Sequence, residues 1–277
     1  MSFSLTEILK ANTLYKQFKS QDIPLHHERF IFPLFSGTYF CYKKIDVLRI
    51  VAIAKALSSN PTFIDIGCGN GDFLGKIRTY LPNALGVEQN LTLFYILNKQ
   101  KPYYIRSFQL EVLNLKKNSF DIAFVGWMQP GTDFRAHVSK LSECIITTFD
   151  SGGQCGINGG CEYEEFGFQK IASWRTPSWI DVNTELMNKF YTKSKKSNFN
   201  FLSSLRTANN LWYVYSTPKK SDKIINSLKN HFIKEKNMFY WQERYDFEDL
   251  LDELGFCYGE KLVLQSSKHD LWKIEFH

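Results

Sequence analysis

The chain has 277 residues, 44% of them hydrophobic and 16% aromatic, enough to bury a sizeable core as one large domain or as a domain with an elaborated lid. Charged residues at 22% exclude general disorder, and no apolar run approaches the roughly 18 residues of a membrane span. The net charge of +6 is local: between Asp181 and Lys236 eleven Lys or Arg stand against four acids, and everything outside that stretch sums to about −1.

The opening MSFSLTEILK has no basic region ahead of an apolar stretch and does not read as a signal peptide, so the expected location is the cytosol. Six cysteines in such a setting do not imply disulfides. Cys155 and Cys161 flank GINGG, a spacing unlike the usual zinc half-site; they read as free thiols, and no metal is expected.

Apolar positions at helical spacing predict helices over 5–19 and 42–58. Pro61 stops the second, and TFIDIG reads as a short buried strand running into glycines. Helices over 71–80, 91–99 and 133–142 then alternate with strands over 84–88, near 103–108, 120–126 and 144–149. That alternation predicts a doubly wound, mostly parallel, seven-stranded sheet of the Rossmann-like type, covered on both faces. Residues 150–240 are rich in Gly, Asn, Lys and aromatics and show no simple period. The pattern returns with an amphipathic helix over 246–256 and strands over 261–265 and 271–276, expected to join the sheet as an antiparallel pair. The expected organisation is an N-terminal helical extension (1–45), a core (46–150 with 241–277) and a large insertion after the fifth strand (151–240). The insertion is a cap over the substrate or an irregular subdomain packed on the core edge.

The most informative stretch is Phe63-Ile64-Asp65-Ile66-Gly67-Cys68-Gly69-Asn70-Gly71. A strand turns sharply there into a helix, and glycines permit both the dihedrals and the close approach of a ligand. Glu88 ends the next strand, where its carboxylate can accept hydrogen bonds from both hydroxyls of a ribose. A dinucleotide fingerprint needs a glycine at 72, which is Asp72, and no Gly-Lys-Ser/Thr ending of a phosphate loop follows. Asp65 and Asp72 would serve a pyrophosphate poorly and a cationic methionine-type ligand well.

These residues resemble the class I S-adenosylmethionine-dependent methyltransferase family over about 45–150 and 243–277. The resemblance implies S-adenosylmethionine as cofactor. Asp65 would hold the amino group of its methionine part, Gly67, Cys68, Gly69 and Gly71 would lie against it, and Glu88, with Gln89 beside it, would bind the ribose. Asn118-Ser119-Phe120-Asp121 matches the approach to the family's fourth strand. Where members often carry an acid contacting the adenine amine, this chain has Gln109, whose amide oxygen can accept the same hydrogen bond.

The loop after the fourth strand, Gly126-Trp127-Met128-Gln129-Pro130-Gly131-Thr132-Asp133, supplies the candidate catalytic residues. Trp127 can stack a planar or cationic acceptor, Gln129 can orient a nucleophile, and Asp133 either accepts a proton or caps the following helix. His26 and His27 are further candidates for a general base, or plain surface. The expected acceptor is a small or medium-sized molecule. The alternatives are RNA or protein held by the basic, aromatic-rich insertion, and a cofactor-binding scaffold without catalysis.

Overall fold

The computed structural model describes residues 38, 40–89, 100–107, 118–128, 131–150, 155–156, 161–177, 210–235, 244–253, 257–260 and 270–277. Helix α1 (Lys44–Leu57) leads into β1 (Phe63–Ile66), followed by α2 (Asp72–Arg78), β2 (Leu85–Glu88), β3 (Ile105–Ser107), β4 (Ile122–Gly126), α3 (Arg135–Leu141) and β5 (Cys144–Asp150). Then come β6 (Gln169–Thr176), β7 (Asn210–Ser216), α4 (Pro218–Glu235), α5 (Asp246–Glu253) and the two-residue β8 (Glu275–Phe276).

The strands form one sheet in the order β3-β2-β1-β4-β5-β7-β6-β8. Strands β1 to β5 pair in parallel; β7 is antiparallel to both β5 and β6, and β8 is antiparallel to β6. The expected Rossmann-like sheet is present, with eight strands in place of seven. The chain leaves β1 in one direction towards β2 and β3 and resumes on the other side with β4, so β1 and β4 flank a topological switch point. In open parallel sheets that crevice, at the carboxyl ends of the strands, is where ligands bind.

The larger core cluster lies on one face, where Phe63, Phe124, Ile146, Trp212 and Trp174 meet Val47 and Ile50 of α1, Phe73 and Ile77 of α2, Ile224 and Leu228 of α4, and Leu251 of α5. The other face packs Ile64, Val125 and Ile145 against Val138 and Leu141 of α3. Burial on both faces explains why FIDI and IAFVG are near-continuous apolar runs rather than alternating ones.

Within the stretch expected as an insertion, β6 and β7 belong to the sheet, and α4 packs against α1 through Ser227, whose Oγ donates to the Ala52 carbonyl at 2.9 Å. LWYVY of β7 sends Trp212 and Val214 to one core and Leu211, Tyr213 and Tyr215 to the other, so both faces of the strand are apolar. Residues 178–209 lie outside the described residues, as do 1–37 with the predicted first helix, 91–99 and the strand expected over 261–265.

The strand expected over 271–276 is corrected: only Glu275 and Phe276 pair with the sheet. Asp270 and Trp272 take positive φ (49° and 62°), turning the chain so that the Trp272 main-chain N–H meets the Arg175 carbonyl at 2.8 Å. The Trp272 indole donates to Asp46 Oδ2 at 2.9 Å, and the Trp174 indole donates to Asp46 Oδ1 at 2.7 Å. Asp46 also accepts the Lys43 N–H at 2.8 Å, closing the first turn of α1. One fully buried carboxylate thus ties α1, β6 and the C-terminal segment together. Burial raises its pKa to about 6, against the opposing pull of Arg49 and the three N–H donors.

Candidate cofactor and acceptor site

The glycine turn folds as its composition dictates. Gly67, Gly69 and Gly71 all take positive φ (75°, 57° and 78°), a region costly for residues with a Cβ. Gly67 is exposed, and a Cβ built on it would meet nothing within 4 Å, leaving open space beside the backbone at the carboxyl end of β1. Gly71 begins α2 and lies directly against the Ile105 side chain, so there both dihedral and packing require glycine.

The loop is held to β2 by its own backbone. The Gly67 and Cys68 N–H groups donate to the Val87 carbonyl at 2.9 and 3.1 Å, and the Gly69 N–H donates to Glu88 Oε2 at 2.7 Å. Gly86 opposite leaves room for Cys68 Sγ, which lies only 2.7 Å from where a Cβ would stand. Asn70 Oδ1 accepts the Asp72 N–H at 3.1 Å, and Asp72 Oδ2 accepts the Tyr42 hydroxyl at 2.5 Å. Asn70 and Tyr42 were not anticipated. The signal for Asn70 was its place inside the glycine run, where Asn commonly bonds its own backbone two residues on. For Tyr42 there was no local signal, because it is brought in from before α1.

Asp65 and Glu88 are both buried, on adjacent parallel strands. Burial first, and then the Glu88 charge, holds the Asp65 carboxyl well above the usual carboxylate range. With its proton retained Asp65 is neutral, and a ligand bearing positive charge beside it would favour its ionised form. Gln89 is exposed immediately after Glu88. Gln109, like Gln129, lies outside the described residues.

Across the switch point, Trp127 follows the last residue of β4 with φ of 58°, a conformation costly for a bulky side chain. Its main-chain N–H donates to the Thr148 carbonyl at 2.8 Å, whereas its indole Nε1 is buried without a partner. The loop continues against 155–156, where Gly156 N–H donates to the Met128 carbonyl at 3.1 Å and Gly131 N–H to the Gly156 carbonyl at 2.9 Å. Cys155 and Cys161 are both buried and neither is in a disulfide, and no metal-binding cluster occurs among the described residues.

Asp133 is bonded to Arg135, the first residue of α3. Its Oδ1 accepts the Arg135 main-chain N–H at 3.0 Å at the start of α3, and both its oxygens accept the Arg135 guanidinium at 2.9 and 2.8 Å. Those bonds hold its pKa below the ordinary carboxylate value. Among the expected residues, the structure therefore brings Asp65, Gly67, Cys68, Gly69, Gly71 and Glu88 together on one side of the switch point, with Trp127 on the other. His26 and His27 lie outside the described residues.

No family model matches the sequence, and neither does any curated protein. Solved structures resemble it at low identity. The cyclase SpnF is 10% identical with a TM-score of 0.44, over 77% of this chain and 94% of its own. Geranyl diphosphate methyltransferase in complex with S-adenosylmethionine is 12% identical with a TM-score of 0.42, over 62% of this chain and 84% of its own. Geranyl diphosphate C-methyltransferase from Streptomyces coelicolor A3(2) is 12% identical with a TM-score of 0.41, over 62% and 78%.

Proposed function

We propose that this chain is an S-adenosylmethionine-dependent methyltransferase that transfers the methyl group by in-line displacement to a small or medium-sized acceptor. The observation that carries the reading is the paired carboxylates: Asp65 and Glu88, buried on adjacent strand ends beside the glycine turn, with Glu88 bonded to the turn through the Gly69 N–H. The residues fit this cofactor. Glu88 would hold the ribose hydroxyls, since a carboxylate keeps acceptor capacity beyond one N–H. Asp65 would face the methionine ammonium, and the open side of Gly67 leaves the backbone approachable. Gln89 and Gln109 complete the cofactor set in this reading. Bound there, S-adenosylmethionine supplies a methyl group on a sulfonium. The work left to the protein is holding the acceptor in line and excluding water, and Trp127 and Gln129 are the residues proposed to position it.

The small acceptor is favoured over RNA by where Lys219 and Lys220, two of the basic residues, lie. β7 ends at Ser216 beside Cys144, the first residue of β5, so α4 starts at the amino edge of the sheet. Lys219 and Lys220 sit in its first turn, away from the glycine turn, and Lys220 faces Glu143 at 3.8 Å. Calorimetry and thermal shift with S-adenosylmethionine, S-adenosylhomocysteine and a nicotinamide dinucleotide test the reading. Micromolar binding of the first two is expected; binding of the dinucleotide alone would sink it.

A further inference from the structure

At the carboxyl end of β5 and the start of β7 two buried polar atoms have no hydrogen-bond partner among the described residues: Thr148 Oγ1 and Asn210 Oδ1. Thr148 is fully buried and Asn210 is 1% exposed. Such atoms are rare in folded proteins and each requires a cause, because a buried unpaired hydroxyl or amide oxygen costs stability. Register puts them together. Thr148 is opposite Trp212 and Asp150 is opposite Asn210, so Thr148 and Asn210 are diagonal neighbours on the sheet face that carries Trp212. Diagonal neighbours stand about 7–8 Å apart, close enough for one polar group to meet both. The orientation of Asn210 is set by its Nδ2, which donates to the Pro177 carbonyl at 3.3 Å, so the unpaired atom is the oxygen and not the amine. The adjoining Trp127, bonded through its N–H to the Thr148 carbonyl, adds an unpaired buried indole donor.

Resting on the methyl-transfer reading, we propose that Thr148 and Asn210 form a specificity subsite for a neutral, amide-like group of the acceptor, presenting an N–H beside a lone pair. Asn210 Oδ1 requires a donor from the ligand, Trp127 Nε1 requires an acceptor, and Thr148 can serve as either. None of the three atoms is ionised, and an uncompensated charge in so dry a place would be costly, so the group is neutral. The neighbouring side chains are aromatic: Trp212 stands opposite Thr148, and Phe40 packs against Trp212 with ring centroids 5.6 Å apart. A planar acceptor carrying an amide edge matches such surroundings.

The test uses the full chain, with and without S-adenosylhomocysteine, and three probes: benzamide, N,N-dimethylbenzamide and ethylbenzene. Ligand-observed NMR titration is expected to rank benzamide first, with the dimethyl analogue, which lacks the donor, about tenfold weaker. Thr148→Val should lose about tenfold in benzamide binding without lowering the thermal midpoint, since a methyl group replaces a hydroxyl that had no partner. Thr148→Ser should retain binding. Equal binding of benzamide and ethylbenzene overturns the subsite, as does no benzamide binding to the wild type. A clearly lower midpoint in Thr148→Val also overturns it, because the hydroxyl would then be paired within the fold or to a buried water. Failure to bind S-adenosylhomocysteine is read separately by calorimetry and sinks the methyl-transfer reading instead.

Discussion

Asp46 and Asp65 are both buried aspartates of the same core, yet they sit in opposite surroundings. Asp46 accepts two indole N–H groups and a main-chain N–H, with Arg49 close by. Asp65 has Glu88 as its charged neighbour, and both burial and that like charge oppose its ionisation. A carboxylate supplied with donors is a fastening; a carboxylate crowded by a second acid is poised for a cation that the fold itself does not provide. The contrast separates what holds the molecule together from what it is built to bind.

The largest effect should come from breaking the fastening. Asp46→Ala leaves two buried indoles and a main-chain N–H without their acceptor, and breaking such a buried ionic cluster typically costs about 3–5 kcal/mol. Urea unfolding should register that loss, while the fraction still folded binds S-adenosylmethionine as the wild type does. A loss confined to cofactor affinity would reverse the roles assigned to the two aspartates.

On the cofactor side, Glu88→Ala should behave in the opposite way. Calorimetry is expected to show binding weaker by about 1.5–3 kcal/mol, the worth of hydrogen bonds to a charged acceptor. The thermal midpoint of the free protein should not fall in proportion. Unchanged affinity would move the ribose elsewhere.

Asp65→Asn sharpens the comparison through pH. Because the folded state holds the Asp65 proton more tightly than the unfolded chain does, its contribution favours folding at low pH and is lost as pH rises from the unfolded carboxylate value through the raised folded one. Substitution should therefore stabilise the free protein at neutral pH and flatten its pH profile. Cofactor affinity in the wild type should rise with pH over the same window, as the carboxylate ionises to meet the ammonium, and be weaker and flatter in the variant. A pH profile identical in the two proteins would remove Asp65 from the site.

The smallest effect is expected at the basic helix. Lys219→Gln with Lys220→Gln should leave turnover of a low-molecular-weight extract fraction, and its salt dependence, close to wild type. A steep fall of turnover with salt that the double variant abolishes would restore a nucleic-acid acceptor.

The five parallel strands and the glycine turn were legible because their information is local. A buried parallel strand is an apolar run, a tight strand-to-helix turn needs positive φ, and Glu88 follows one strand later in register. β6 and β7 were not legible as parts of the sheet. NLWYVYS carries aromatics on both faces and QKIASWRT carries Trp174, amid a lysine- and asparagine-rich stretch, and aromatic residues serve a cap as well as a core. Which it is depends on the partner, and the partner of β7 is β5, some sixty residues earlier in the chain.

From sequence alone came the class of fold, the glycine turn and the two acids Asp65 and Glu88, since each follows from short-range stereochemistry and a regular strand spacing. Tertiary structure alone decided that Asp46 fastens three segments, that Asp133 pairs with Arg135, and that Thr148 Oγ1 and Asn210 Oδ1 lack a partner among the described residues. Those are questions of which side chains from distant positions share a dry space, and burial changes the energy of a polar atom more than its identity does.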